Sequence, residues 1–313
     1  MAELASASGA PRPRVTVVGS LHYDVMVATP YLPRRGETLM GEAWWWKPGG
    51  KGGNQAMAAA RYGAAVELIG CLGADGFGTR LRERLGAAGV GLECVRTVVQ
   101  GSGMSVALQE ADGDYAAVVV SGANREIDEV QVADEAPTIR DSRVLLLQNE
   151  VAERANAAAA RIAREAGVTV VHNAAPARPT GALADLVDVL VVNAVEAEQL
   201  GAGPVEDLEG AARAAAALSG QCPAVVVTAG GAGVAAATGE RSLTVPPHAV
   251  EHVETHGAGD VFTGTLAARI AADEPLEAAL RYANAAAALH VGTPEDARAG
   301  LGPADVASLL GSG

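Results

Sequence analysis

The chain has 313 residues, of which 49% are hydrophobic, and its formal net charge at pH 7 is −14. A chain of this length can bury the core of one large α/β domain or of two smaller ones. The acidic balance argues against a protein that binds the phosphate backbone of nucleic acids, which needs a basic surface, but it allows a small anionic ligand, which needs only a few local donors.

The sequence carries no targeting signal and no disulfide pattern. The three cysteines, Cys71, Cys94 and Cys222, are scattered and form no CxxC or CxxH pair, which favours reduced thiols in the cytoplasm. Residues 1–13 lack the basic and apolar regions of a signal peptide, so we interpret them as a disordered leader. No apolar run approaches the roughly 20 residues that cross a membrane. We therefore expect a soluble cytoplasmic protein with no membrane or nucleic-acid partner.

Strand-like and helix-like segments alternate along most of the chain. In chain order they are a strand at 14–20, a helix at 52–64, a strand at 66–73, a helix at 76–89, a strand at 143–150, a helix at 152–167, a strand at 168–177, a strand leading into a helix start at 186–200, an alanine-rich segment at 215–220, a strand at 223–231, and helices at 259–272, 275–290 and 303–310. This rhythm predicts βαβ units and an α/β fold with a mainly parallel central sheet.

Two segments break the alternation. Residues 24–46 alternate loosely and carry Pro30, Pro33 and Gly36, and residues 103–121 read as two strands around an Asp-Gly turn, which is a strong hairpin signal. Neither fits a βαβ unit. Together they predict a small separate sheet beside the main domain, which could act as a lid.

Polar residues directly follow several apolar runs. They are Asp24, Gln148 to Glu150, His172 with Asn173, Asn193, and Thr228 with Gly230. The carboxyl ends of parallel strands lie at one edge of a sheet, where ligands bind in open α/β folds. These clusters therefore predict a polar cleft at that edge.

Residues 48–56, "PGGKGGNQA", place four glycines around Lys51 at the start of a helix. Glycines let the backbone approach a ligand closely, and a helix N-terminus attracts anions and hydroxyl groups. The segment is not a Walker A loop, because Lys51 is followed by glycine rather than serine or threonine. The alternative is an ordinary turn with Asn54 as a helix cap.

Residues 254–264, "ETHGAGDVFTG", allow two interpretations. In the first, a loop ends and Asp260 caps a helix. In the second, the backbone amides of residues 257–260 form an anion hole and Asp260 is a general base, an arrangement that suits phosphoryl transfer.

Two further motifs are candidates for contacts with a nucleotide or with its metal ion. Gly231-x-Gly233-x-x-Ala236 fits a loose dinucleotide fingerprint, but the residues after it predict a hairpin that turns at Thr238-Gly239 rather than a helix, so we discount a nicotinamide site there. In "NAVEAE" (193–198), Glu196 is a candidate to organise hydrated Mg²⁺. The alternative is a carboxylate that stabilises the helix start through the macrodipole.

The segments "GGKGGNQA" and "GAGDVFTG" resemble the two signatures of the ribokinase-like (PfkB) carbohydrate kinases. The resemblance extends over nearly the whole chain through "VTVVGSLHYD", "RRGETLMG", "NAVEAE", "VVVTAGGAG" and "YANAAAALH", and it is strongest for the ribokinase branch. It implies a three-layer sandwich over residues 14–313, with a mainly parallel sheet flanked by helices and a small β-sheet lid formed by 24–46 and 103–121.

The resemblance also implies roles for particular residues. The residues implied to bind the sugar are His22, Asp24, Gly49, Gly50, Lys51, Asn54, Glu150 and Asp260, and those implied in catalysis are Asp260, Gly257, Ala258 and Gly259. The residues implied to bind the nucleotide are Asn193, Glu196, Thr228, Gly230, Gly233 and Asn284. Glu196 is implied to bind Mg²⁺ through water, and Glu254 and the carbonyl of His256 are implied to bind a monovalent cation.

The chain departs from the family pattern at several places. Asn is usual where His22 stands, and Asp is usual at Glu254. The usual Thr-Arg-x-Gly-Ala after the penultimate helix is replaced by "HVGTPEDARAG" (290–300). Residues 44–46 are three tryptophans, which either pack in the lid or a dimer, or stack on a substrate ring or base.

We therefore expect an ATP-dependent kinase for a primary hydroxyl of a small sugar, with ribose as the leading acceptor. Mg²⁺ is the expected cofactor, K⁺ is a candidate activator, and the expected assembly is a homodimer through the lid strands, whose edges would otherwise stay open. A nucleoside kinase of the same fold is the nearest alternative. An NAD-dependent oxidoreductase and a non-catalytic sugar or nucleotide sensor are the others.

Overall fold

The structure is a computed structural model that describes residues 11–110, 115–179, 181–183, 185–239, 241–251, 253 and 255–311. Within these residues the strands, in chain order, are β1 (Arg14–Val18), β2 (His22–Ala28), β3 (Ala43–Gly49), β4 (Ala65–Gly73), β5 (Val90–Gly91), β6 (Val95–Val98), β7 (Gly103–Gln109), β8 (Tyr115–Val120), β9 (Val144–Gln148), β10 (Thr169–Asn173), β11 (Val189–Asn193), β12 (Ala224–Thr228), β13 (Val234–Thr238) and β14 (Arg241–Val245). The helices are α1 (Lys51–Arg61), α2 (Gly76–Ala87), α3 (Glu129–Asp134), α4 (Ala136–Arg140), α5 (Glu153–Ala166), α6 (Ala194–Gln199), α7 (Leu208–Leu218), α8 (Ala258–Ala271), α9 (Leu276–Val291) and α10 (Pro303–Gly311).

The central sheet is mainly parallel, as the alternation of segments predicts. Its strand order is β14-β13-β12-β11-β10-β9-β1-β4-β5, with β6 also paired to β4. Only β13 and β14, at one edge, pair in the antiparallel sense. The expected α/β fold is confirmed.

Helices cover both faces of this sheet. Alternate residues of the central strands belong to two different cores: Leu146 packs in the core with residues of α1, α8 and α9, while Leu145 and Leu147 pack in the core with residues of α5 and α7. Strands that are buried on both faces read as continuous apolar runs, which is why the sequence "VLLLQ" has no polar alternation. The three-layer arrangement is therefore present.

A second sheet of four strands, which we call the lid sheet, stands apart from the central one. Its order is β3-β2-β7-β8; the two outer pairs are antiparallel, and β2 and β7 run parallel at its centre. The predicted hairpin at 103–121 is confirmed as β7 and β8, although its Asp-Gly turn lies outside the described residues. The predicted lid segment at 24–46 forms the other pair, β2 and β3, but its strands cover 22–28 and 43–49. Both strands extend beyond the predicted bounds because the hydrogen-bonded pairing continues as far as His22 and Gly49.

Several short elements differ from the sequence prediction. The alanine-rich segment at 215–220 is the end of a longer helix, α7, which starts where the Asp207 side chain accepts a hydrogen bond from the Gly210 amide. The helices α3 and α4 were not predicted, because each spans less than two turns and shows little periodicity.

Helices α1 and α8 cross at very short distance and bring their N-termini to one place. A Cβ atom on Gly264 would lie 2.2 Å from the carbonyl oxygen of Gln55, so α8 can approach α1 this closely only because residue 264 has no side chain. Most of α8 is buried. The two segments that carry the sequence signatures are therefore neighbours in space.

The described helices include none that is long and apolar enough to span a membrane. Cys71 and Cys94 are buried and Cys222 is partly buried, and all three are free thiols.

Candidate active site

Three adjoining cavities lie where the carboxyl ends of the central strands face the lid sheet. We call them the lid cavity, of about 550 Å³, the central cavity, of about 240 Å³, and the outer cavity, of about 390 Å³. The lid and central cavities share Lys51 and Asp260, and the central and outer cavities share Asn193, Thr228 and Gly259. The predicted strand-end cleft is therefore one continuous tract.

Asp260 lies at the junction of the lid and central cavities, in the first turn of α8, and is 9% exposed. Both of its carboxylate oxygens accept hydrogen bonds from α1. Asn54 Nδ2 donates to Oδ2 at 3.0 Å, and Gln55 Nε2 donates to Oδ1 at 3.0 Å. The carboxylate is thus held in one orientation by side chains of a neighbouring helix.

Gln55 was not recognised as a site residue from the sequence. It is completely buried, and its Nε2 also donates to Asn173 Oδ1 at 2.9 Å, so that it ties α1 to both α8 and β10. The one hint in the sequence was its position, since Gln55 is a polar residue next to Asn54 in the glycine-lysine segment 48–56. Its two acceptors are more than 100 residues away, and a single sequence does not show that they meet.

The start of α8 provides backbone donors beside Asp260. Gly257 caps the helix with a left-handed backbone (φ 81°), and the first N–H groups of a helix have no acceptor within it. One of the predicted donors is engaged: Ala258 N–H reaches back to the carbonyl of Thr255 at 3.2 Å. The amides of Gly259 and Asp260 follow it in the same turn.

The loop that carries Lys51 passes close under β1. A Cβ atom on Gly50 would lie 2.7 Å from the carbonyl oxygen of Ser20, and its φ of 82° is one that favours glycine. The backbone N–H of Lys51 donates to Glu150 Oε2 at 2.9 Å, and the Ser20 hydroxyl donates to the same oxygen. This network fixes the start of α1 at the end of β1.

The ammonium group of Lys51 is surrounded by carboxylates. Burial lowers its pKa, but the negative charges of Asp260, Glu150 and Glu196 outweigh that effect, so the pKa lies above the ordinary value of 10.5. Lys51 is therefore a permanent positive charge between the lid and central cavities.

Asp24 and His22 lie on the lid sheet and line the lid cavity. Asp24 Oδ1 accepts a hydrogen bond from the Ser105 hydroxyl at 2.5 Å, and the same carboxylate lies against Gly49, where a Cβ atom would be only 1.9 Å from Oδ2. Nε2 of His22 is buried and has no hydrogen-bond partner among the described residues.

Asn193 and Glu196 form a capping box at the start of α6. Asn193 Oδ1 accepts from the Glu196 amide at 2.8 Å, and Glu196 Oε2 accepts from the Asn193 amide at 2.9 Å. The helix-start interpretation is thus confirmed, and the same carboxylate also lines the central cavity. Burial raises the pKa of Glu196, and the Asn193 amide and Lys51 partly offset this effect.

The outer cavity has mostly apolar walls with a few polar groups. Thr228, Gly230, Gly233 and Asn284 line it, and Asn284 Nδ2 donates to the carbonyl of Pro246 at 2.9 Å. Phe262 and the alanines of α9 form much of the wall. A cleft of this composition suits a flat aromatic ring.

The dinucleotide fingerprint has the wrong continuation. The residues after Gly233 form β13, which pairs antiparallel with β12 and β14, and no helix follows. The fingerprint needs a helix N-terminus to hold a pyrophosphate, so the predicted hairpin is confirmed and the nicotinamide site is not supported.

Trp46 packs inside the molecule rather than facing a ligand. Its ring stacks on Tyr23 with centroids 4.5 Å apart, and Tyr23 stacks in turn on Phe77 of α2 at 4.2 Å. For this tryptophan the packing interpretation is confirmed. Trp44, two residues earlier on the same face of β3, is 66% exposed.

Of the two predicted ligands of a monovalent cation, the structure describes only the carbonyl of His256. Glu254 lies outside the described residues. The carbonyl oxygen of His256 accepts a hydrogen bond from Nε2 of His290 at 2.9 Å.

Comparison with known proteins gives matches over nearly the whole chain. The model of the pfkB family carbohydrate kinases matches residues 12–299. A ribokinase of Haemophilus influenzae is 34% identical over 283 residues, which cover 90% of this chain and 92% of that protein. A deoxyribokinase of Salmonella typhimurium is 30% identical over 281 residues, which cover 88% of this chain and 92% of that protein. The structure of Arabidopsis thaliana ribokinase complexed with ribose and ATP superposes with a TM-score of 0.87 at 31% identity, covering 96% of this chain and 99% of that one.

His172, the residue before Asn173 near the end of β10, is buried in its neutral form. Its Nε2 lies 2.9 Å from Asn149 Oδ1, an acceptor, while its Nδ1 is buried and has no partner among the described residues. Protonation of Nδ1 would bury an N–H group without an acceptor. Burial, assisted by the charge of Arg178, lowers the pKa of His172 to about 4.

We expect His172 to make the protein less stable in mild acid. Between the ordinary pKa of 6.5 and about 4, the unfolded chain binds a proton at this residue and the folded chain does not, so the free energy of unfolding falls as the pH is lowered through this window. His172→Gln keeps an N–H donor for Asn149 but cannot titrate. Urea unfolding at several pH values should therefore show the wild type losing stability relative to the variant in this window. A constant difference would contradict a neutral, buried His172.

Proposed function

Because the chain belongs to the pfkB family of carbohydrate kinases, we propose that it transfers the γ-phosphoryl group of ATP to a primary hydroxyl of a small sugar, with ribose as the leading acceptor. The observation that carries this proposal is the position of Asp260. Its carboxylate lies at the junction between a polar cavity under the lid sheet and a cavity that continues to the outer, apolar cleft. A base at this place meets both an acceptor and a nucleotide.

In the proposed reaction Asp260 accepts the proton of the sugar hydroxyl. The hydroxyl oxygen forms a new bond to the γ-phosphorus in line with the bond to ADP, which breaks, and the products are the sugar phosphate, ADP and a proton held by Asp260. Asn54 and Gln55 donate to the two carboxylate oxygens, and these contacts aim the carboxylate before the sugar arrives. Preorganisation of this kind lowers the barrier because no reorganisation is needed during the transfer.

Two kinds of group stabilise the negative charge on the moving phosphoryl group: backbone amides and a lysine. The amides of Gly259 and Asp260 lie in the first turn of α8, where the helix macrodipole favours an anion. Lys51 adds a full positive charge on the same side as Asp260. Fixed donors and charges of this kind are usually the largest contribution to phosphoryl transfer.

The acceptor is bound in the lid cavity. Asp24 and Glu150 supply carboxylate oxygens that accept from sugar hydroxyls, and Lys51 and Asn54 supply donors. We assign the buried Nε2 of His22, which has no partner among the described residues, to another hydroxyl of the acceptor. A site built on such bonds rejects a sugar that lacks the matching hydroxyl, because its polar groups would stay unpaired.

The nucleotide is bound in the outer and central cavities. We place the base between the apolar walls of the outer cavity near Asn284, and the phosphates in the central cavity between Asn193 and the start of α8. Mg²⁺ keeps most of its waters and binds mainly to phosphates, so the carboxylate of Glu196, which lines the central cavity, suits it. Glu196 would hold this hydrated ion, which neutralises phosphate charge when bound.

A nucleoside is the second candidate acceptor. Met26, Ala107, Ala117 and Val119 give the lid cavity an apolar wall beside its polar groups, and the cavity volume of about 550 Å³ leaves room for a larger molecule than a pentose.

Asp260→Asn should lower kcat by about 10²–10⁴-fold, the usual contribution of a general base, and should leave ATP affinity nearly unchanged. The amide keeps the size of the side chain but accepts no proton at neutral pH. Asp305→Asn is a matched control, because Asp305 also lies in the first turn of a helix but lines none of the three cavities. ADP release and calorimetric ATP binding measure the two effects. Near-normal turnover in Asp260→Asn would contradict the assignment of the base.

A panel of acceptors should give the highest kcat/KM with ribose. Ribose, 2-deoxyribose, a hexose and two nucleosides would be compared with ADP release as the readout. A nucleoside as the best acceptor would contradict ribose and select the second candidate. If no acceptor leads to ADP release although a sugar binds in a calorimeter, the result would contradict a kinase and favour a sensor.

We also propose that two chains associate through the lid sheet. Among the described residues, each of its edge strands, β3 and β8, has one unpaired edge. Trp44 and Val118, on the face of the sheet turned away from the lid cavity, are 66% and 69% exposed. Open edges and exposed apolar side chains of this kind favour association. Sedimentation velocity should show a dimer that Val118→Lys with Val120→Lys dissociates. A monomeric wild type at micromolar concentration would contradict the dimer.

A further inference from the structure

We propose that Arg298 is a built-in cation that takes the place of a monovalent metal ion in the loop behind the catalytic helix, so that phosphoryl transfer by this chain does not require K⁺. The inference rests on the proposed kinase function. Arg298 acts in it as a positioning residue, because it lines none of the three cavities that form the site.

The end of α9 leaves a carbonyl oxygen in need of a donor. In a continuing helix the carbonyl of His290 would accept from the N–H of residue 294, but residue 294 is Pro294, which has no N–H. The Thr293 N–H lies 3.5 Å from this oxygen, a long contact. The carbonyl groups at a helix C-terminus carry partial negative charge and attract cations. The local sequence therefore creates a cation-binding helix end.

Arg298 fills that position with its own side chain. Its Nε–H is shared between the carbonyl oxygens of His290 at 3.0 Å and Thr293 at 2.9 Å, so that two carbonyl groups converge on one donor. The residue is 8% exposed, and a buried charge is tolerated only where hydrogen bonds compensate for lost water. A guanidinium group remains protonated in proteins. The charge at this helix end is therefore permanent, whereas a bound metal ion would depend on its concentration.

The same helix end holds the loop that precedes the anion hole. His290 Nε2 donates to the carbonyl oxygen of His256 at 2.9 Å, and the Val253 N–H donates to the carbonyl of Val291 at 3.1 Å. The His290 ring also lies next to Gly257, since a Cβ atom there would be 3.4 Å from Nε2. Arg298 thus fixes the end of α9, and α9 fixes the residues that cap α8.

A potassium ion does not fit these groups. K⁺ gives up its waters only for a set of oxygen atoms that replace them. The carbonyl oxygens of His256, His290 and Thr293 already accept N–H groups of the protein, and the guanidinium of Arg298 lies against two of them, so an ion at those oxygens would meet a like charge.

The local charge also opposes a free cation. A small cavity of about 120 Å³ beside His256 is lined by Arg298, by three more cationic side chains, Lys47, Arg61 and Arg84, and by a single carboxylate among the described residues, Glu295. Burial lowers the pKa of Arg61, and the like charges of Arg84 and Arg298 lower it further. This region is positive even though the chain as a whole is acidic.

The first test compares the wild type in potassium chloride and choline chloride at equal ionic strength. ATP is supplied without potassium or sodium, and ADP is quantified by chromatography, so that no coupling enzyme with its own ion requirement is present. We expect equal turnover in the two salts. A saturable increase of about tenfold with K⁺, a size typical of allosteric coupling, would overturn the proposal.

The second test removes the guanidinium. Arg298→Ala leaves the carbonyl groups of His290 and Thr293 without their donor, and we expect turnover in choline chloride to fall by about tenfold, as for loss of a supporting contact. K⁺ should then bind and restore part of the activity in a saturable way. A purely structural role for Arg298 predicts the same loss in both salts, and that result would overturn the proposal.

Two variants serve as controls. Arg298→Lys keeps a positive charge and N–H donors, and we expect turnover that is independent of K⁺. Arg281→Ala removes an exposed cation of α9 that pairs with Glu277 one turn away, and we expect no change in turnover or ion dependence. An ion response in Arg281→Ala as large as that of Arg298→Ala would also overturn the proposal.

Thermal unfolding separates this inference from the proposed function. An ion that binds only the folded state raises its stability, so K⁺ should raise the Tm of Arg298→Ala relative to choline and should leave the wild type unchanged. If no acceptor gives ADP in any salt, the proposed function fails, while the Tm comparison still decides the role of Arg298. If Arg298→Ala does not fold, the wild-type comparison of the two salts decides it.

Discussion

The close crossing of α1 and α8 is the contact on which the rest of the site depends. Gly264 of α8 lies against the backbone of Gln55, and a single Cβ atom there would force the helices apart. The same Gln55 donates to Asp260 and to Asn173, so one residue takes part both in the helix packing and, together with Asn54, in the orientation of the carboxylate. The proposed base is thus positioned by helices rather than by loops, and rigid elements hold the narrow geometry that catalysis needs. A larger side chain at position 264 would disturb packing and chemistry together.

Helix termini place charged and polar groups at several points in and behind the site. The start of α8 provides amides beside Asp260, and the start of α6 is closed by Asn193 and Glu196, whose carboxylate also faces the central cavity. The end of α9 receives Arg298. At α6 the capping box is present and its carboxylate also faces a cavity, whereas at α8 the cap is Gly257, so the interpretation of Asp260 as a helix cap is wrong. The groups that a helix end leaves unpaired are the groups that bind ions and phosphates.

The sequence predicted features that depend on local pattern. The alternation of apolar runs was enough for the parallel sheet, and the glycine-rich segments around Lys51 and Asp260 were enough to locate the cleft. It did not predict features that depend on distant partners. Gln55 and Arg298 are polar residues inside or after helices, and only the fold shows that one meets Asp260 and the other meets the carbonyl of His290. The tryptophan cluster could not be interpreted for the same reason, since the stacking of Trp46 on Tyr23 depends on how the lid sheet lies over α2.

The proposed reaction requires Asp260 to lie between the acceptor and the γ-phosphate. A crystal structure of the complex with ribose and a non-hydrolysable ATP analogue tests this position most directly. We expect the primary hydroxyl oxygen of ribose within about 2.6–3.2 Å of an Asp260 carboxylate oxygen, with the γ-phosphate facing the amides at the start of α8. Ribose bound with another hydroxyl toward Asp260, or a γ-phosphate placed away from the first turn of α8, would contradict it.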